Sequence, residues 1–299
     1  MGLFPKFLST LCFTLMPVLL MAQNSSEVRI VSSSSLSLET INGESVQKII
    51  NAEVSAENFR ILADSAIKFT NRNEFRAFGN IEIDTEGKRI WADSLYYFTD
   101  IDYSRLRGRV IIATDSSTIF SNAVDYLFSL EIARFLDFVR LEDNNGILTA
   151  REGDYFQKQD SAVFRLNVQL VDSAQYARGD SLLINRASER FEFFGNVFAA
   201  DSANKTVFKS DYMSGDSTGN RSLVGESYLR NINADSTDSD TTHINAEIIR
   251  VRQDSVYRIT EAVDDVKIWT PDFSAVADSS ILDDRRDVVE LFMEPKVWY

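Results

Sequence analysis

Two short markers recur along the chain at one spacing, and that periodicity limits the fold more than any other feature. The small residue that opens the first marker, as in Ala92-Asp93-Ser94, falls at Ala63, Ala92, Ser121, Ala150, Gly179, Ser210, Ala246 and Ala277, in steps of 29, 29, 29, 29, 31, 36 and 31 residues. The residue after it is polar each time: Asp64, Asp93, Asn122, Arg151, Asp180, Asp211, Glu247 and Asp278. The second marker, the glycine of Gly79-Asn80-Ile81, passes through Gly79, Gly108, Asp137, Leu166, Gly195, Gly225, Asp264 and Pro295, and its first four steps are also 29. A unit this short cannot bury an apolar face alone, so the copies must stack and share one interior.

Each copy reads as strands. After the second marker come Ile81 and Ile83, Val110 and Ile112, Val139 and Leu141, Val168 and Leu170, Val197 and Ala199, then Val266 and Ile268, which is the period-two alternation of a half-buried strand. Around the first marker the phase slips: Ile90 and Ala92 are followed by Leu95 and Tyr97, Phe208 and Ser210 by Met213, Ile244 and Ala246 by Ile249 and Val251. A one-residue slip beside a small side chain is what a bulge or corner produces. The predicted fold class is therefore all-β, an elongated solenoid of stacked bent strands with about eight repeats of about 29 residues, its body roughly 40 to 80 Å long at ordinary strand spacing. The 36-residue step carries a polar insertion, about 233–242, which should leave the body as a loop.

Composition narrows the function. Residues 1–22 carry one cation, Lys6, then an apolar run from Phe7 to Met21 and Ala22, the pattern of a secretory signal peptide cut near Ala22. The bland alternative is a retained N-terminal anchor. Cys12, the single cysteine, lies inside that run, so a chain cut there holds no disulfide. Removing Lys6 leaves 31 − 1 = 30 basic residues against 45 acidic ones, a formal charge of 30 − 45 = −15. Nucleic acid binding needs basic stripes that such a chain does not show. Residues 23–54 form an N-terminal segment leading into the repeats, which occupy 55–299.

Enzyme signals are weak. Gly215-Asp216-Ser217-Thr218-Gly219 matches a nucleophile elbow, and Asp240 with His243 would supply the other triad types, but the elbow needs a strand before it and a helix after it. A turn between two repeat strands explains the same residues. Asp235, Asp238 and Asp240 lack the glycine and terminal glutamate of a calcium loop and read as a solvated acidic loop. No phosphate cradle or dinucleotide fingerprint is present, so no cofactor is expected.

Gly79-Asn80-Ile81-Glu82-Ile83 followed by Ile90-Trp91-Ala92-Asp93-Ser94-Leu95-Tyr96-Tyr97, and Gly195-Asn196-Val197 with Phe208-Lys209-Ser210-Asp211-Tyr212, resemble the OstA/LptA family of lipopolysaccharide-transport proteins, whose repeat also forms the N-terminal domain of LptD and is related to LptC. The resemblance covers about residues 55–299. It implies a β-jellyroll, or β-taco, whose apolar groove holds the acyl chains of lipopolysaccharide in the periplasm on the way to the outer membrane. Partners implied are lipid A, LptC-like and LptD-like proteins, and further copies joined end to end through edge strands. Groove candidates are Ile81, Ile83, Ile90, Leu95, Val110, Ile112, Val139, Leu141, Val168, Leu170 and Val197. From periodicity alone the same residues line a dry core equally well, and a secreted structural or adhesive β-solenoid with a closed interior stays open as the alternative. The departures at Asn122, Asp137, Arg151 and Leu166 predict a middle section that is narrower or differently bent. The last residues, Pro295 to Tyr299, resemble the opening of another repeat, which predicts a longer parent protein.

Overall fold

The computed structural model describes residues 28–56, 59–85, 87–101, 103–127, 130–144, 146–203, 205–232, 241–253 and 257–299. Among them there is no α-helix, and a 3-10 turn spans Gln157–Gln159. The strands are β1 (Arg29–Ser32), β2 (Ser35–Ile41), β3 (Glu44–Ala56), β4 (Phe59–Phe69), β5 (Glu74–Thr85), β6 (Lys88–Phe98), β7 (Tyr103–Thr114), β8 (Ser117–Leu127), β9 (Ile132–Phe135), β10 (Val139–Asp143), β11 (Gly146–Ala150), β12 (Glu152–Phe156) and β13 (Ser161–Val171). They continue with β14 (Gln175–Asn185), β15 (Arg190–Asp201), β16 (Thr206–Asp216), β17 (Arg221–Ile232), β18 (Thr241–Gln253), β19 (Arg258–Trp269), β20 (Ser274–Asp283), β21 (Val288–Phe292) and β22 (Lys296–Trp298). The predicted all-β class of stacked, bent, antiparallel strands is what the structure shows. The signal-peptide segment 1–22 lies outside the described residues, as do 233–240 of the insertion, while Thr241 and Thr242 open β18.

Two compact units divide the chain. The described part of the N-terminal unit is 28–144 and 150–162, and that of the C-terminal unit is 146–149 and 163–299. In the N-terminal unit β3 pairs with β4, β4 with β5, β5 with β6, β6 with β7 and β7 with β8, all antiparallel. β1 and β2 both pair with β3, and β9 and β10 both pair with β8, so each couple is one strand interrupted at its bend. β12 pairs with β9. The ladder thus reaches back through β3, N-terminal of residue 55. In the C-terminal unit β11 pairs with β13, and β14 through β20 pair in sequence. β21 and β22 share β20 in the same interrupted manner.

Every long strand bends at its marker. At the second marker two consecutive residues take left-handed φ: Gly79 at +77° with Asn80 at +44°, Gly108 at +72° with Arg109 at +42°, Gly195 at +70° with Asn196 at +50°, and Gly225 at +80° with Glu226 at +42°. Pairing shifts register there, between Phe78 and Ile81 on β5 and between Phe194 and Val197 on β15. Glycine reaches that region without a Cβ penalty and asparagine tolerates it, which is why Gly-Asn recurs. The bend divides each strand into two arms. Odd strands from β5 run through a first arm, then a second arm, and even strands return the opposite way.

The two markers are partners in space. The Asp64 carboxylate of β4 lies over Gly79 of β5, Asp93 over Gly108, Asp180 over Gly195 and Asp211 over Gly225, so close that a Cβ on the glycine would overlap it. The residue after the glycine completes the contact: Asn80 Nδ2 donates to Asp64 Oδ2 at 2.9 Å, Asn196 Nδ2 to Asp180 Oδ2 at 2.9 Å, and Arg109 Nε to Asp93 Oδ1 at 3.0 Å. The hydrogen bond from Arg109 holds the Asp93 carboxyl below its ordinary range. Where both markers depart from the pattern the chemistry is exchanged, with Asn122 Nδ2 donating to Asp137 Oδ2 at 3.1 Å. The predicted difference in the middle section is a break in the strands: β9 and β10 part at 136–138, and β11 and β12 part at Arg151.

Candidate functional site

Alternate residues of both arms face one interior, and their burial follows the sequence phase. On β5, Phe75 and Ala77 precede the bend and Ile81 and Ile83 follow it; on β6, Ala92 is followed by Leu95 and Tyr97; on β7, Leu106 precedes Val110 and Ile112, all buried. The C-terminal unit repeats the arrangement with Phe191 and Phe193 before the bend of β15 and Val197 and Ala199 after it. Phe191 and Phe193 meet edge to face with centroids 6.2 Å apart. Removing one such side chain from water contributes about 1.5–3 kcal/mol, so the shared interior is the main source of cohesion.

The structure places Ile81, Ile83, Leu95, Val110, Ile112, Val139, Leu141, Val168, Leu170 and Val197 on this inner face, each less than one-tenth exposed. Ile90 is the exception and is half-buried. Ile81, Ile83, Ile90, Leu95, Val110, Ile112, Val139 and Leu141 belong to the N-terminal unit; Val168, Leu170 and Val197 belong to the C-terminal unit.

Sequence reasoning missed the polar groups at the free ends of the arms. Lys88, two positions before Ile90, is 6% exposed on the inner face, and burial pushes its ammonium down to about 8. Glu74 begins β5 as a buried carboxylate flanked by Arg72, whose Nε is 3.0 Å away, and by Arg76. In the C-terminal unit Arg221 begins β17, 4% exposed, with its guanidinium 5.0 Å above the Phe191 ring. Burial pushes Arg221 down to about 10, against the opposing charges of Asp216 and Asp201. Asp201 closes the second arm of β15, so these charges face each other between the rims of the two arms. Asn231 Oδ1, at the second-arm rim of β17, accepts at 3.1 Å both from Thr206 Oγ1 and from Arg258 Nη1, which starts the first arm of β19. The rims are therefore bridged by hydrogen bonds. The signal was present in the sequence as a charged residue in inward phase at a strand start, two positions before Ile90 or Leu223.

The residues of the nucleophile-elbow pattern make a turn. Asp216 accepts from the Thr218 amide at 2.9 Å, the Thr218 hydroxyl at 2.6 Å and Asn220 Nδ2 at 3.0 Å. Burial pushes its carboxyl up, and those hydrogen bonds outweigh the burial and hold it below the ordinary range. Ser217 donates to Glu189. His243 lies at the opposite end of the β17–β18 pair, opposite Arg230, stacked on Trp269 at 4.9 Å with Nδ1 2.8 Å from the Tyr228 hydroxyl. Ser217 and His243 are thus on different rims, and Asp240 lies outside the described residues, as do Asp235 and Asp238. Among the described residues no three His, Cys, Asp or Glu side chains form a group able to hold a metal ion, and no helix is long and apolar enough to cross a membrane.

Residues 25–180 match the OstA-like protein family. No curated protein matches the chain. Among solved structures, that of LptH, the LptA homologous periplasmic component of the conserved lipopolysaccharide transport device from Pseudomonas aeruginosa, is similar at 14% identity with a TM-score of 0.36, covering 42% of this chain and 94% of that one.

Proposed function

The chain belongs to the OstA-like family, and from that premise we propose that it is a periplasmic lipopolysaccharide-transport component, exported by the segment 1–22, that carries lipid A acyl chains between its two arms toward the outer membrane. The observation that carries this reading is the inner face itself: an apolar stripe repeated on strand after strand, bounded at its rims by charged and hydrogen-bonding side chains. An acyl chain laid along that stripe exchanges side-chain contact for contact of the same apolar kind, so loading need not expose apolar surface to water. The polar bridges at the rims, such as Arg258 to Asn231, exchange their partners for water or for a head group when the arms part. Transfer between similar grooves requires no covalent step, and its direction comes from an energy source outside this chain. LptC-like and LptD-like proteins, and further copies joined through edge strands, are the partners this reading implies.

Near-complete burial of ten groove candidates also favours a second reading, a structural solenoid with a permanently closed core. Photo-crosslinking separates the two. A photoreactive residue is placed in turn at Ile83, Ile112 and Leu170 in cells making lipopolysaccharide, with Glu82 on the outer face as control. Lipid adducts at the three inner positions and none at Glu82 are expected of the carrier; well-expressed protein without adducts would establish the closed solenoid.

A further inference from the structure

At the first-arm rim of the C-terminal unit a pocket of about 400 Å³ is lined by four arginines, Arg190, Arg221, Arg250 and Arg252. The whole chain has a formal charge of −14, so this convergence runs against its composition. Cations gathered in one concavity repel one another, and a bound anion relieves the repulsion. Strand register explains how they meet. Glu192, Ser214, Ser222 and Arg250 are successive partners in one row across β15, β16, β17 and β18. That row spans three strand spacings, about 14 Å, and the two short serines at its centre leave a trough between the longer side chains on either side.

The neighbouring carboxylates are already engaged. Asp216 is held within its own turn, Glu192 accepts from the Tyr212 hydroxyl at 2.9 Å, and Glu261 pairs with Arg252 at 3.1 Å. Arg190 and Arg250 are exposed and have no ion-pair partner among the described residues. The pocket also touches the interior, since the buried Phe191 and Val251 belong to its lining. One ligand can therefore lie with its chains on the inner face and its polar end in the pocket.

We propose that this pocket holds a phosphate group on the head of the amphiphile carried between the arms, with Arg190 and Arg250 as principal donors and the Ser214 and Ser222 hydroxyls beneath it. A single guanidinium fork satisfies the two oxygens of a carboxylate, whereas forks arriving from two sides suit the several oxygens of a phosphate. The inference rests on the carrier reading for the source of that phosphate.

The test measures equilibrium binding of the full chain to bisphosphorylated lipid A, to the same lipid with both phosphates removed, and to inorganic pyrophosphate, for wild type and for Arg190→Gln/Arg250→Gln. Wild type is expected to prefer the phosphorylated lipid by about tenfold or more, the factor that one charge-assisted hydrogen bond supplies. The double variant is expected to lose most of that preference while binding the dephosphorylated lipid as wild type does. Equal affinity of wild type for the two lipids, or a preference that survives in the variant, overturns the pocket assignment and leaves the carrier reading standing. Pyrophosphate binding that needs the two arginines, with neither lipid bound, makes the pocket a free-phosphate site and removes both the head-group assignment and the carrier. Binding of none of the three overturns both.

Discussion

Gly195 is held to glycine by two separable causes. Its φ of +70° penalises any Cβ, and the Asp180 carboxylate occupies the space a Cβ would take. Gly195→Ala is expected to lower stability by about 2–3 kcal/mol, of which about 1 kcal/mol is backbone strain. Adding Asp180→Ala should relieve the overlap, so a double-mutant cycle followed by urea unfolding is expected to show favourable coupling of about 1 kcal/mol; strict additivity would refute the overlap. Lys88 carries a second residue-level consequence. Its ordinary value is 10.5 and burial brings it to about 8 in the folded chain. Between those values the unfolded state binds more protons, so raising pH through that window favours the folded state. Lys88→Met is expected to be more stable than wild type at pH 7 by about 1–2 kcal/mol, allowing for solvent screening, and the advantage should shrink as pH rises from 8 to 10. A gap in thermal midpoint that stays constant over that range would contradict this account.

At the scale of the strand, the bend is a two-residue device whose sequence can vary while its geometry holds. Leu166 and Asn167 on β13 take φ of +65° and +58° with no glycine, and Asp264 and Asp265 on β19 take +65° and +53°. Interactions with neighbouring strands thus impose the conformation even on a residue that resists it. Leu166 is 47% exposed, so its side chain contributes little burial to offset the strain. Leu166→Asn is expected to raise stability by about 0.5–1 kcal/mol, because asparagine tolerates the left-handed region; chemical denaturation checks it, and an unchanged midpoint would mean that the Leu166 side chain compensates. The exchanged pair of Asn122 and Asp137 shows why a departure from a marker is not the loss of its contact: either partner can supply the carboxylate.

Over the whole molecule, a repeated ladder tolerates changes that keep its period. Removing 80–108 joins Gly79 to Arg109, restores a marker to its own place, and leaves β4 with an equivalent partner on both arms. That variant is expected to keep a β-type circular dichroism spectrum and to resist limited proteolysis. Removing 80–101 breaks the phase, brings polar residues onto the inner face, and is expected to yield unfolded or aggregated protein. Equal behaviour of the two deletions would show that period does not govern stacking.

The all-β class, the inward phase and the position of the bends are legible in the amino-acid sequence, because each depends on local backbone geometry: alternation every two residues and a small or left-handed residue where the chain turns. Ile81, Val110 and Val168 can be assigned to the inside on that basis alone. Ile90, on the same phase, is only half-buried, since exposure at an arm depends on what covers it rather than on the strand that carries it. Only the tertiary structure showed that Asp64 and Gly79 are partners, that Arg258 reaches Asn231 between rims, and that Arg190 and Arg250 flank one pocket. Those contacts arise from hairpin register across several strands, a nonlocal property that no periodicity within the sequence encodes.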